Sequence, residues 1–214
     1  MGKIFVLVIS IFCFLFSADA QFKWGINTGV NLTNRQDPSD HLPKPLVTSQ
    51  FSIFGLFPVS NLFSFQPSLG YHGKGDKFKN VSFTDNMGNF IGSGNINELF
   101  NYLQLNVLAQ LRCNRDEDYK LYSSAGPYLA YLINGKSKLK DFHGSSHVPP
   151  GSSDINLYYI NRFDAGLNLA ASLIIKDHWD VSLTSSMGFV NTVKLVAARP
   201  KNMSVGITLG YLIH

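Results

Sequence analysis

Apolar and polar residues alternate with a period of two along most of this chain. In 22–32, Phe22, Trp24, Ile26, Thr28, Val30 and Leu32 fall on one side, and Lys23, Gly25, Asn27, Gly29 and Asn31 on the other. Successive side chains of a β-strand point to opposite faces, so this segment reads as an amphipathic strand. The same pattern recurs in 63–72, where Phe63, Phe65, Leu69 and Tyr71 oppose Ser64, Gln66, Ser68 and Gly70. It returns in 103–112, 159–173, 179–189 and 202–213. Segment 50–57 alternates less cleanly, and 120–133 is apolar on both sides. The sequence leaves the inward face of these two open. No segment holds a helical period over four turns. Eight strands of about ten residues are predicted, each long enough to cross a bilayer at a tilt.

The predicted connections alternate in length. Long ones, 33–49, 73–102, 134–158 and 190–201, follow the first, third, fifth and seventh strands. Short ones, 58–62, 113–119 and 174–178, follow the others. Up-and-down membrane barrels have short periplasmic turns and longer extracellular loops. A periplasmic N-terminus then puts every long connection outside, around Lys44, Asn89, His147 and Ala198.

Composition decides which face is wet. Charged residues make up only 15% of the chain, against 45% hydrophobic and 13% aromatic. A soluble domain carries roughly 25% charged residues. The polar sides of the strands are Asn, Gly, Ser, Thr and Gln, and most charges fall in the connections. Small neutral polar residues suit a narrow crowded lumen, with the apolar side turned to lipid. Glycines at 25, 29, 166, 188, 206 and 210 lie on the polar side, where facing groups need room. Trp24, Tyr71, Trp179 and Tyr211 are placed to form interfacial girdles. A soluble periplasmic ligand-binding barrel is the opposite arrangement and needs its apolar residues inside.

The N-terminus has the layout of a secretory signal peptide. Lys3 precedes the apolar run 4–16, and Ala18-Asp19-Ala20 forms an A-x-A cleavage site before Gln21. As a helix, thirteen residues cover about 20 Å of a roughly 30 Å hydrocarbon core, too little for an anchor. The expected organisation is a signal peptide, 1–20, and one barrel domain, 21–214. Cleavage removes Lys3, Asp19 and Cys13 and leaves the net charge at +4. That excess is scattered, so no nucleic-acid partner is expected. Cys113 is then the single cysteine, which excludes an intrachain disulfide.

Several stretches together resemble the PorT-like outer-membrane β-barrel proteins, also called the outer membrane protein β-barrel domain family. They are 23–32 (KWGINTGVNL), 65–71 (FQPSLGY) followed by a Gly/Lys loop, 125–129 (AGPYL), 162–167 (RFDAGL) and 206–211 (GITLGY). They come in the family's order and cover nearly the whole mature chain. The resemblance implies a small barrel in the outer membrane of a Gram-negative bacterium, with a name-giving member tied to protein secretion. It carries no catalytic residues over. One departure is the C-terminus, which reads Tyr211-Leu212-Ile213-His214 where many such barrels end on an aromatic residue. Tyr211 is the expected substitute in recognition by the assembly machinery.

Candidate chemistry is sparse. His143 and Ser145, with His147, invite comparison with barrel enzymes that modify lipid A or another outer-membrane lipid. That chemistry needs a base held against the nucleophile. Here the cluster falls in a Gly/Ser/Pro-rich stretch read as a solvated loop. Asp37, Asp40 and His41, and the acidic turn Asp116, Glu117 and Asp118, read as solvated connections. Arg162 and Asp164 share the polar side of one strand and predict a paired lumen network, since buried charges are seldom unpaired. No catalytic, cofactor or metal residues are assigned. The expectation is an all-β, eight-stranded antiparallel up-and-down transmembrane β-barrel. Its expected role is non-enzymatic: structural, binding or secretion-accessory. Its expected partners are outer-membrane lipid and lipopolysaccharide, with other envelope or secretion proteins as candidates. Eight strands leave an interior that side chains just fill, which disfavours a general diffusion pore.

Overall fold

The structure is a computed structural model that describes residues 22–36, 43–144, 151–194 and 200–213. Among these residues nine strands form: β1 (Lys23–Gln36), β2 (Lys44–Pro58), β3 (Phe63–Thr84), β4 (Phe90–Arg112), β5 (Tyr119–Gly144), β6 (Ser152–Asp154), β7 (Phe163–Ile175), β8 (Trp179–Gly188) and β9 (Lys201–Ile213). A 3-10 turn, Leu157–Tyr159, lies between β6 and β7. All pairings are antiparallel. The order is β4-β3-β2-β1-β9-β8-β7-β5, and the β4–β5 pairing closes the ring. The eight long strands therefore form a closed up-and-down barrel. Three-residue β6 adds to the outer part of β5, with Lys136 opposite Asp154.

Closure pairs each of the eight barrel strands on both sides within the ring, and alternation then sorts the side chains. Leu105, Leu167 and Ile207 point outward, as do Leu129, Leu169, Leu183 and Val205. Asn106, Gln104, Gln110, Ser124, Ser172 and Thr208 are buried inside. This is the inverse of a soluble barrel, so the soluble ligand-binding reading is set aside. The two segments left open resolve in the same sense. On β2, Val47, Phe51 and Ile53 face out, while Thr48, Gln50 and Ser52 face in. On β5, Leu121, Leu129 and Tyr131 face out and Ser124, Tyr128 and Leu132 face in. The inner face of β5 is partly apolar, which is why alternation was not legible there.

The girdle aromatics stand at the strand ends. Trp24, Trp179 and Tyr211 cluster at the end with the short turns, where the Trp179 and Tyr211 rings meet edge to face at 5.1 Å. Tyr71 faces outward at the opposite end of the belt, and its hydroxyl donates to Asn101. The β7–β8 turn is the tightest. Lys176 and Asp177 both have positive φ, at 48° and 61°. Three residues, Lys176 to His178, link the strands, and the His178 N–H closes the turn on the Ile175 carbonyl at 3.1 Å. Asp177 accepts from Lys120 at 2.8 Å and lies 3.5 Å from Lys23. Burial opposes ionisation there, but the two ammonium groups outweigh it and hold the Asp177 carboxyl below its ordinary range.

The long connections differ from expectation. Segment 73–102 is largely the outward continuation of β3 and β4, and β5 runs on to Gly144. These strands have 22, 23 and 26 residues, roughly twice a membrane span. Pairing carries through Asp76↔Glu98, Phe78↔Ile96 and Ile96↔Leu139. The strands bulge where register slips, near Asn80 (φ 53°) and Asp141 (φ 50°), residue types that tolerate this conformation. The barrel thus carries a sheet of β3, β4, β5 and β6 standing beyond its long-loop end.

Candidate functional site in the barrel lumen

The lumen is built in layers. At the short-turn end, inward Phe54, Leu56, Ile174 and Leu212 form an apolar floor, with Tyr122 against them. Their strands supply an apolar residue at the last inward position, where the barrel would otherwise open to water. At the opposite end Phe100, Tyr102, Tyr128, Ala130, Leu132 and Ile160 form an apolar lid. Ile155, Leu157 and Val193 pack on it from the connections, and Ile160 bridges Val193.

Between floor and lid is a polar chamber with about 70 Å³ of open space, lined by residues such as Asn27, Gln50, His72, Gln104, Asn168 and Asp180. That is room for a few water molecules and little else. Its wall is cross-linked. Asn106 accepts from Gln104 at 2.8 Å and from Asn168 at 2.6 Å, and donates to Ser68 at 2.8 Å. Gln110 donates to Gln66 at 2.6 Å and accepts from Ser64 at 3.2 Å. Ser182 Oγ lies 2.6 Å from Asp180 Oδ1 and 2.8 Å from Ser172 Oγ. Glycine makes the space. A Cβ on Gly166 would lie 2.6 Å from the Tyr128 ring, and one on Gly206 1.9 Å from Asn31 Oδ1.

Charges stack beneath and above the lid. Lys74 Nζ donates to Asp164 Oδ2 at 3.0 Å, and the side chains are 4% and 2% exposed. The same carboxylate oxygen accepts from Tyr128 Oη at 3.1 Å and Asn202 Nδ2 at 2.9 Å. The ammonium lies over the rings of Tyr128 at 4.1 Å and Tyr102 at 5.2 Å, an added cation–π attraction. Further out, Arg35 grips Asp76 with two bonds of 2.7 and 2.8 Å and also reaches Glu98. Its guanidinium covers the Phe100 ring at 4.9 Å. These contacts tie β1, β3, β4, β5, β7 and β9 together inside the ring.

Asp164 lies in the lumen as expected, but its predicted partner does not. Arg162 precedes β7, is exposed, and donates to Tyr131 Oη at 3.3 Å on the outer wall. Asp164 is the second residue of β7, so the strand starts too late to bring Arg162 inside. Lys74, Asp76 and Glu98 fall in the segment expected to be a connection and stand instead on β3 and β4. Their signal was present: the inward phase Ser64, Gln66, Ser68, Gly70, His72 continues in step through Lys74 and Asp76.

His143 is exposed at the end of β5 and pairs with Ser93, on a strand rather than in a loop. Ser145 and His147 lie outside the described residues, as do Asp37, Asp40 and His41. Asp116, Glu117 and Asp118 form the exposed β4–β5 turn, where Arg112 donates to Glu117 at 3.1 Å. Cys113 is a free, exposed thiol beside that turn. Among the described residues no three His, Cys, Asp or Glu gather as a metal-holding group.

Among solved structures the chain is similar to Ail, the attachment invasion locus protein of Yersinia pestis, with 14% identity and a TM-score of 0.45. That match covers 89% of this chain and 98% of Ail. It is also similar to Neisserial surface protein A, with 9% identity, 88% and 96% coverage and a TM-score of 0.43. OprG from Pseudomonas aeruginosa matches at 10% identity, 90% and 96% coverage and a TM-score of 0.38. No match was found among curated proteins. The model of the outer membrane protein beta-barrel domain matches residues 17–194, most of the barrel whose outward apolar belt and polar lumen are described above. The chain belongs to that family, and it is an outer-membrane β-barrel protein.

Proposed function

We propose that this protein is a non-enzymatic, non-conducting outer-membrane barrel that displays its extended sheet of β3, β4, β5 and β6 on the cell exterior. The observation that carries this reading is the lumen, shut at both ends by apolar layers and cross-linked between them. Its role is structural, binding or secretion-accessory, consistent with the resemblance to PorT-like proteins. Residues 1–20 act as the export signal and are removed. His143 supports the non-enzymatic reading by position. It lies ten residues beyond Ile133, about 30 Å further along the same strand than the last residue of the outward apolar belt.

Two experiments test the proposal. In planar bilayers the purified barrel should show no stable channel steps, and vesicles containing it should not admit small sugars. Steady conductance of the porin type would overturn the closed-lumen reading. For sidedness, Lys44→Cys and Asn89→Cys in a Cys113→Ser background should react with an impermeant thiol reagent on intact cells. Reaction only after the outer membrane is broken would place the extended sheet in the periplasm instead.

A further inference from the structure

The outer face of the extended sheet carries a rung of lysines that the proposed function leaves unexplained. Lys44 on β2 stands opposite Lys77 on β3, Lys77 opposite Asn97 on β4, and Asn97 opposite Lys138 on β5. Residues directly opposite share a face. Lys136 and Lys140 flank Lys138 on that face by the two-residue period. Five lysines thus stand together on one outward surface.

Ion pairs hold five of the other cations among the described residues. Arg35 and Lys74 are paired inside the lumen, and Lys23, Lys120 and Arg112 are paired at the short-turn rim. None of the five rung lysines makes an ion pair among the described residues. Asp154 stands opposite Lys136 without closing one. Like charges directly opposite, as in Lys44 and Lys77, repel. Among the described residues this face therefore lacks a paired anion.

The surroundings indicate which anion. An open groove of about 610 Å³ runs along this wall, with Lys136, Lys138 and Lys140 on one side and Val30, Val47 and Leu99 on the other. Ile133 is the last outward apolar residue of β5 before the lysines, and Lys136 follows only about 10 Å further along the strand. Tyr71 and Tyr131 mark the same boundary. Lys136 stands at the edge of the apolar belt, directly opposite Leu99 of β4, and Lys138 and Lys140 continue outward from it along the groove. A soluble polyanion would meet the charges and leave Val30, Val47 and Leu99 in water. A phosphorylated lipid meets both.

We propose that this rung is a docking site for the phosphate groups of an outer-leaflet glycolipid, whose acyl chains lie over Val30, Val47 and Leu99. The proposal rests on the exterior placement of the sheet, which the thiol-labelling experiment tests by itself. The test of docking uses the full barrel refolded in phosphatidylethanolamine vesicles containing either diphosphorylated lipid A or its dephosphorylated form. Lipid retained per barrel after detergent extraction is counted by native mass spectrometry. Wild type should retain the phosphorylated form preferentially. Lys136→Gln, Lys138→Gln and Lys140→Gln, singly and combined, should lower retention roughly fivefold per lysine. Lys176→Gln, at the opposite rim, should leave it unchanged. The single variants keep the test open if the triple fails to give the heat-sensitive gel migration of a folded barrel. Equal retention of both lipid forms, or a preference that survives the lysine changes, would overturn the proposal. So would displacement of lipid A by heparin that binds the barrel equally well in phosphatidylethanolamine vesicles without phosphorylated lipid A, since the face would then serve a soluble polyanion.

Discussion

Asp164→Asn should destabilise the barrel by about 3–5 kcal/mol, the usual cost of breaking a buried ion pair from one side. The carboxylate takes three hydrogen bonds on one oxygen, from Lys74, Tyr128 and Asn202. An amide in its place leaves the Lys74 ammonium buried against two aromatic rings without the one ion pair it makes among the described residues. The rings offset only part of that charge, since a cation–π contact supplies about 2 kcal/mol even when desolvated. Lys74→Met combined with Asp164→Asn removes the isolated charge and should recover a large part of the loss. Arg162→Gln, formerly the expected partner, should be close to neutral because its side chain is on the outer wall. The measurement is a double-mutant cycle of urea unfolding in lipid vesicles. Strictly additive losses for Lys74→Met and Asp164→Asn would show that the pair does not hold β3 to β7.

Leu167→Arg should cost about 2–4 kcal/mol if it lies at the bilayer midplane, and Ile207→Arg should behave alike. Both residues face outward, 40% and 58% exposed on a chain without lipid around it. A guanidinium there must stay in hydrocarbon or drag water and headgroups toward it. The next residue on β7 makes the contrast. Asn168 points inward and donates one hydrogen bond to Asn106, so Asn168→Ser should cost only about 0.5–1.5 kcal/mol. Asn106 would make a poorer contrast, because it joins three side chains at once. Unfolding of the two β7 variants in vesicles decides the matter. If Leu167→Arg were as stable as Asn168→Ser, the lipid-facing assignment would be wrong.

Thinning of the lid is a milder matter than either change. Gly166 admits the Tyr128 ring, and the ring in turn holds Asp164 and Lys74. The closed lumen and the buried pair therefore share one support, which ties the conductance measurement to the stability cycle. A variant that loses the pair while remaining folded is where leakage through the lid would first be seen.

The sequence alone determined the eight barrel strands through their period of two, the membrane-facing side of six of them through composition, and the turn end through the lengths of the connections. It could do so because lipid demands an apolar side chain at every second position, and that demand is local: Phe22 to Leu32 can be read without any other strand. The narrow lumen likewise demands small neutral residues such as Gly25, Asn27 and Gly29. Three things were left to the tertiary structure. The strand ends depend on partners, since β3 and β4 continue past the membrane only because each supplies the other's hydrogen bonds through Asp76↔Glu98 and Phe78↔Ile96. The inner face of β5 is set by closure against β4 and β7, which turns Tyr128 and Leu132 into a lid although both are apolar. Charge pairing spans the ring: Lys74 and Asp164 are 90 residues apart, and Arg35 and Glu98 are 63 apart. A residue two positions along the same strand is visible in sequence, but a narrow lumen lets a carboxylate find its cation on a strand across the barrel.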